Sequence, residues 1–80
     1  MEAQLNITCR GENGDLPDPV NYDMTDQEIR QMASEAVATG YVPGITAQVV
    51  DFSDFIVEHY PAEGDLPARL MLRPKTPFGA

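Results

Sequence analysis

The stretch TDQEIRQMASEAVATG, residues 25–40, decides the fold of this 80-residue chain. Thr25 and Glu28 have the spacing of a capping box, in which each side chain accepts a hydrogen bond from the other residue's backbone N–H. Gly40 favours the left-handed conformation in which many helices end. Between them, the apolar residues follow the i, i+3, i+4 spacing of one helix face; they are Ile29, Met32, Ala33, Ala36 and Val37. We therefore predict one amphipathic helix, from Asp26 to about Thr39, that buries this face.

The segments on both sides of the helix alternate apolar and polar residues with the period of two that is typical of half-buried strands. This pattern predicts five strands, at residues 5–10, 20–24, 45–50, 55–60 and 69–73. Residues 11–19 contain Asn13-Gly14 and two prolines, which predicts a turn between the first two strands. The predicted order of elements is therefore β-β-α-β-β-β.

One helix has one apolar face to bury, and a sheet of alternating strands offers one apolar face to receive it. We therefore predict a single α+β domain, residues 1–73, in which the helix packs on a mainly antiparallel sheet in two layers. Residues 74–80 form a C-terminal tail, because Pro74 and Pro77 lack the amide that strand pairing needs. The same order of elements occurs in ubiquitin-like β-grasp domains. This resemblance is one of element order alone, and a fold does not by itself imply a function.

The formal net charge of −8 limits the class of partner. It argues against direct binding to nucleic acids or anionic membranes, because both would be repelled. The charge is uneven, since residues 1–68 contain all thirteen acidic residues and residues 69–80 contain three basic residues and no acid. Basic protein partners fit the acidic part of the chain. The alternative is that the charge only keeps a small protein soluble.

The cysteine content and the N-terminus predict a cytoplasmic location. Cys9 is the only cysteine, so the chain cannot form an intramolecular disulfide, which suits a reducing compartment. Residues 1–4 lack the positive and apolar regions of a signal peptide, and no apolar run approaches the ~18 residues of a membrane span. Cys9 shares the apolar face of the first predicted strand with Leu5 and Ile7, so we predict a buried, unreactive thiol.

Few residues are suited to catalysis, metal binding or cofactor binding. His59 is the only histidine, and its neighbour Glu58 points to the opposite face of a strand. One cysteine and one histidine cannot supply a zinc site, and the acids that follow the glycines at residues 11–14 would repel a phosphate. Asp51 and Asp54 fit a solvated turn better than a calcium loop. We therefore predict no catalytic, metal-binding or cofactor-binding residues.

These observations favour a non-enzymatic protein-binding or adaptor module. A short chain has a thin core, and an exposed strand edge invites pairing with a partner strand. A more specific version is an acidic decoy that occupies the nucleic-acid site of another protein. The alternative is a small enzyme or ligand-binding protein whose site forms between subunits, lined by Tyr22, His59, Tyr60 and the acids near Asp51.

The alternation fails at Val49-Val50 and at Phe55-Ile56-Val57, where apolar residues occupy both faces. Such strands are commonly covered on both sides, and one helix cannot cover both faces of a five-stranded sheet. We therefore predict an apolar interaction surface, and a homodimer or another stable contact through this surface or through a strand edge. The residues of the surface are Phe52, Ile56, Tyr60 and Phe78. The alternative is that Phe78 and the tail fold over this face.

A four-residue segment, Gly-Asp-Leu-Pro, occurs twice, at residues 14–17 and 64–67. Glycine, aspartate and proline each favour turns for a separate physical reason. We interpret both copies as turns of independent origin rather than as the trace of a duplicated hairpin.

Overall fold

The computed structural model describes residues 1–75 of the chain. Within these residues it contains one helix and five strands; they are β1 Glu2–Cys9, β2 Glu12–Asp15, β3 Val20–Asn21, α1 Asp26–Ala38, β4 Ile56–Tyr60 and β5 Ala68–Arg73. Compared with the predicted strands, β1 begins three residues earlier, and β4 and β5 differ by one residue at their starts.

The strands form one mixed sheet with the order β2-β1-β5-β4, and β3 pairs with the start of β1. The central strands β1 and β5 are parallel, with Ala3 opposite Ala68 and Ile7 opposite Leu72. The other strand pairs are antiparallel. With α1 on one face of this sheet, the predicted α+β class with a two-layer, mainly antiparallel arrangement is confirmed.

The helix α1 has the start and the end that the sequence predicts. The Thr25 hydroxyl accepts a hydrogen bond from the Glu28 N–H at 3.1 Å, and the Glu28 carboxylate accepts one from the Thr25 N–H at 2.9 Å. Gly40 follows the helix with a φ of 72°. The centre of the apolar face is buried and its margin is partly buried against the core; the central residues are Ile29, Ala33 and Val37, and the marginal ones Met32 and Ala36.

The core lies between α1 and the inward-facing side chains of β1 and β5. Alternate residues of these two strands are buried; they are Ala3, Leu5, Ile7, Cys9, Ala68, Leu70 and Leu72. The side chain of Cys9 has no exposed surface, which confirms the prediction of a buried thiol. Burial, followed by the nearby Glu12 charge, raises the pKa of this thiol.

The predicted element order is wrong in two places, because residues 12–15 form a strand that was not predicted and the predicted strand at residues 45–50 does not form; the order is β-β-β-α-β-β, and the predicted strand at residues 20–24 is shortened to Val20–Asn21. Arg10 and Gly11 have positive φ angles of 51° and 79° and form the two-residue turn that reverses the chain after β1. The segment after this turn runs back along β1 and forms hydrogen bonds with the backbone N–H and C=O groups at its edge. Residues 12–15, predicted as a turn, therefore form β2 although Asn13-Gly14 has little strand propensity. Residues 16–19, which include two prolines, separate β2 from β3.

The predicted strand at residues 45–50 is also wrong, because this segment belongs to the loop between α1 and β4. The loop covers the core with the buried side chains of Val42, Ile45 and Phe52. The Thr46 N–H and hydroxyl donate to the two oxygens of the Glu12 carboxylate at 2.9 and 2.8 Å. The Glu12 side chain of β2 thus accepts the hydrogen bond that a neighbouring strand would otherwise accept from the Thr46 N–H, so this N–H needs no strand partner.

The two faces of the sheet differ in how much of them is covered. The helix and the loop at residues 40–55 pack on the face that carries the core. The outward-facing residues of β1, β2, β4 and β5 are exposed or half-buried in the described part of the chain.

Candidate interaction surface

The uncovered side of the sheet is a single surface to which four strands contribute, and we call it the open face. Its members are the outward-pointing residues of each strand; they are Glu2, Gln4, Asn6 and Thr8 of β1, Asn13 and Asp15 of β2, Ile56, Glu58 and Tyr60 of β4, and Arg69, Met71 and Arg73 of β5. The period of two places them together, since alternate residues of a strand point to the same side.

Amide side chains cross-link the half of the open face on β1 and β2. The Asn6 amide donates to the Asn13 side-chain oxygen at 3.1 Å and to the Asp15 carboxylate at 2.8 Å. The Asn13 amide donates in return to the Asn6 oxygen and to the Thr8 hydroxyl, both at 2.8 Å. These bonds hold polar groups in fixed positions, although each is solvent-exposed and adds little stability.

Two arginines organise the other half of the open face, on β4 and β5. The Arg73 guanidinium lies 3.0 and 3.2 Å from the two oxygens of the Glu58 carboxylate. These contacts hold the pKa of the Glu58 carboxyl below its usual range. The Arg69 guanidinium lies 5.2 Å from the centre of the Tyr60 ring, within range of a cation–π contact. Each arginine thus contacts a residue of the neighbouring strand β4.

Charge is divided unequally between the two sides of the molecule. The open face carries three of the thirteen acidic residues and two of the five basic residues, so its charges nearly balance. The other ten acidic residues lie outside this face, on the helix, in loops and at the start of β2. The acidity that the composition reveals is thus a property of the remaining surface.

The structure brings together two of the four residues predicted to form the interaction surface. Ile56 is half-buried and Tyr60 is 38% exposed, and both belong to the open face. Phe52 is 3% exposed and lies in the core on the other side of the sheet, with its ring 4.7 Å from that of Phe55. Phe78 lies outside the described residues, as does the alternative in which it folds over the surface.

The failed alternation that motivated this surface has a simpler origin. Val49 and Phe55 precede β4 and lie in the loop, so neither belongs to a strand with two covered faces. Met71, Arg69 and Arg73 were not predicted as surface residues. Arg69 and Arg73 mark the outward side of β5, and the period of two places Met71 with them, although Leu70, Met71 and Leu72 form an unbroken apolar run in the sequence.

Of the groups that were proposed to line a site between subunits, the structure brings Tyr22 and His59 into contact and places Tyr60 on the opposite face of the sheet. The His59 Nε2 atom lies 2.9 Å from the Asp26 carboxylate, and the Tyr22 ring meets the His59 ring edge-on at 5.8 Å. Tyr60 belongs to the opposite face of the sheet, and the Asp51 carboxylate accepts a hydrogen bond from the backbone of Ser53. A nucleophilic side chain is not among the hydrogen-bond partners of His59 within residues 1–75.

The concave regions of the surface are shallow grooves. One groove lies between α1 and residues 49–53 and is open to solvent. Arg30 borders it and donates from Nε to the Phe55 carbonyl oxygen at 2.9 Å, so its guanidinium is tied to the chain. A depression of about 360 Å³ on the open face is lined by the amide cluster together with Arg69 and Met71. No group of three side chains in residues 1–75 is arranged to hold a metal ion.

The chain matches no protein family model, no curated protein and no solved structure. Among the described residues, no helix combines the length and the apolar composition that a membrane crossing requires.

Proposed function

We propose that the protein is a non-enzymatic protein-binding or adaptor module that contacts its partner through the open face. The observation that carries this proposal is the unequal coverage of the sheet. One face is buried under α1 and its loop, whereas the other presents Ile56, Met71 and Tyr60 among ordered polar side chains. Tyrosine, methionine and arginine are enriched in the centres of protein interfaces.

The shape and the order of the open face favour a protein over a small molecule. Small ligands bind in concave, mostly apolar sites that enclose most of their surface, and the depression on this face is open to solvent and lined mainly by polar side chains. Arg73 and Arg69 are held by Glu58 and Tyr60, so binding would immobilise few additional side chains.

The charge distribution favours a basic partner. The ten acidic residues outside the open face leave the protein with a net charge of −8, which accelerates the approach of a basic protein and repels a nucleic-acid backbone. A cytoplasmic location is part of the proposal, since Cys9 is a free thiol.

The proposal is tested with two tyrosines on opposite sides of the molecule. Tyr60 lies on the open face, and Tyr41 is a matched control, because it is 48% exposed and lies beyond the end of α1. Partners captured by the full chain from an extract of the source cells are identified and purified, and their affinities are then measured by calorimetry. We expect Tyr60→Ala to weaken binding about 30-fold, as for an interface hot spot, and Tyr41→Ala to change it less than about twofold.

Two outcomes contradict the proposal. If Tyr41→Ala abolishes binding while Tyr60→Ala does not, the partner contacts the acidic helix side, as an acidic decoy would require. If both variants bind every purified partner as the wild type does, the open face is not the binding site. Circular dichroism of each variant confirms that the fold is retained.

A further inference from the structure

The strand β4 forms one edge of the sheet and has no strand partner on its outer side among residues 1–75. Its five residues pair with β5 alone, from Ile56 opposite Arg73 to Tyr60 opposite Arg69. Within the described residues, the other backbone hydrogen bonds do not involve residues 56–60. In an antiparallel pair, alternate residues direct their N–H and C=O groups away from the partner. The outer edge of β4 therefore presents free backbone donors and acceptors.

The opposite edge of the sheet is protected, whereas β4 is not. That edge consists of the short strands β2 and β3, interrupted by Pro17 and Pro19, and the loop packs over Gly14. Natural edge strands are usually blunted by prolines, bulges, lysines or very short length. β4 contains no proline or lysine and pairs with β5 without a bulge, and Ile56, Val57 and Tyr60 favour strand structure.

We propose that β4 accepts an extended, basic segment of the partner as an additional strand of the sheet; this rests on the proposed function and specifies how the partner binds. Acidic residues lie in the loops at both ends of the edge, Asp51 and Asp54 before β4 and Glu63 and Asp65 after it. Residues 51–67, which comprise β4 and the loops on both sides of it, contain five acidic residues and no lysine or arginine, whereas Arg73 and Arg69 lie on the neighbouring strand β5, opposite the two ends of β4. A strand with basic ends is therefore complementary in charge to this edge.

The same charges argue against a second copy of the chain as the occupant. An antiparallel pair of β4 strands centred on Glu58 places this carboxylate opposite its own copy, where the Arg73 of each copy reduces but does not remove the repulsion between like charges. The pairing also brings the acidic loop before β4 in one copy to the acidic loop after β4 in the other. The predicted homodimer is thus less favourable at this edge than a complex with a basic strand.

The test uses the full chain and a synthetic nine-residue peptide, KKVTVTVKK, which spans β4 and has basic ends. Hydrogen exchange followed by NMR reports the protection of each backbone amide. We expect the outward-pointing amides within residues 56–60 to exchange rapidly in the free protein and to become at least about tenfold slower at saturating peptide. The control peptide EEVTVTVEE and a KKVTVTVKK peptide N-methylated at its five central amides are expected to give no protection.

Two variants with the same change in charge distinguish peptide binding at the β4 edge from peptide binding elsewhere on the acidic surface. Glu63→Lys places a positive charge beside β4, whereas Glu35→Lys places one on the exposed side of α1. We expect Glu63→Lys to weaken peptide binding about fivefold and Glu35→Lys to weaken it less than about twofold. Equal effects of the two variants would show that the peptide binds the acidic surface without adding to the sheet, and would overturn the proposal.

The exchange data also identify the other occupants. Protection of the β4 amides that increases with protein concentration in the absence of peptide would assign the edge to a second copy. Protection at every concentration would assign it to the chain's own residues 76–80. Either result overturns the proposal. If the purified partner still depends on Tyr60 while no peptide protects β4, strand addition fails and the proposed function stands; if the dependence on Tyr60 is also absent, both fail.

Discussion

A methyl group added at Gly14 is expected to destabilise the protein by forcing apart β2 and the loop that packs on it. An ideal Cβ at this position would lie 2.1 Å from the Pro43 carbonyl oxygen and 2.9 Å from the Val42 Cγ1 atom. The Pro43 carbonyl oxygen must move away by about 1 Å, because contacts to a Cβ atom shorter than 3.0 Å are essentially never found. Because Pro43 lies between the buried Val42 and the anchored Thr46, the loop cannot move without disturbing both.

The magnitude follows from three contributions. Overpacking of this kind costs about 1–3 kcal/mol. Weakening of the Thr46 hydrogen bonds to Glu12 adds about 1 kcal/mol. Gly14 does not have a positive φ, so the loss of backbone freedom in the unfolded chain opposes these effects by about 0.4–1 kcal/mol. The net expectation for Gly14→Ala is a loss of about 1–3 kcal/mol, a large part of the stability of a small domain.

The assay is urea denaturation followed by far-UV circular dichroism, together with hydrogen exchange at the Thr46 amide. With a slope of about 1 kcal/mol/M, the urea midpoint should fall by about 1–3 M. Gly11→Ala is the control, because a Cβ there meets nothing within 4 Å and its only cost is a left-handed φ of 79°. Both variants are expected to be less stable, but only Gly14→Ala should accelerate exchange at Thr46 relative to global unfolding.

The sign of the stability change in Gly14→Ala shows whether the loop packs closely on β2. Without a steric conflict, Gly14→Ala would be neutral or stabilising, because alanine restricts the unfolded chain more than glycine does. A Gly14→Ala variant as stable as the wild type, with unchanged exchange at Thr46, would refute the close packing of the loop on β2.

Four further outcomes follow from the structure. Thr25→Ala should cost about 1 kcal/mol of unfolding free energy through loss of the cap, measured by urea denaturation; an unchanged midpoint would show that another group replaces it. Ile29→Ala should cost about 2–5 kcal/mol, since Ile29 is completely buried, and a loss below about 1 kcal/mol would contradict its place in the core. The Cys9 thiol should react with an aromatic disulfide reagent much more slowly in the native than in the urea-denatured protein; equal rates would place it at the surface. Because the Thr46 N–H and hydroxyl hold the pKa of the Glu12 carboxyl below its usual range, the stability that Glu12 contributes is present above the ordinary glutamate pKa of about 4.3 and is lost as the pH falls through the lowered pKa. The stability difference between the wild type and Glu12→Gln should therefore shrink in acid, and a difference independent of pH would show that the ionised carboxylate is not needed.

Part of the interaction surface was accessible from the sequence and part was not. The period of two of the predicted strand at residues 55–60 places Ile56 and Tyr60 on the same face, and the same period in the predicted strand at residues 69–73 places Met71 with Arg69 and Arg73. The buried position of Phe52 could not be predicted from the residues next to it in sequence, because it lies in a loop with no periodic pattern. Its burial depends on the contact with Phe55 and the core, which only the folded chain provides.

The repeated Gly-Asp-Leu-Pro segment shows how much depends on tertiary context. Residues 64–67 were interpreted correctly as a turn, in which Gly64 has a φ of 57° and Leu66 is 63% exposed. Residues 14–17 were interpreted in the same way, but they end β2, and Leu16 is buried and donates its N–H to the Leu5 carbonyl oxygen. The four residue types are identical, so the difference arises from the edge of β1 that lies beside the first copy and not the second.

Features that depend on residues close together in the chain were predictable from the sequence. The capping box at Thr25, the apolar face around Ile29 and the inward face of β1 all follow from local hydrogen bonding and from side-chain periodicity. Only the tertiary structure decided which segments complete the sheet. Residues 12–15 pair with the edge of β1 and form a strand where a turn was predicted. The alternating segment that was predicted as a strand lies in a loop, in which Thr46 donates a hydrogen bond to the Glu12 carboxylate. Those outcomes depend on backbone groups and side chains that are distant in sequence and meet only when the chain is folded.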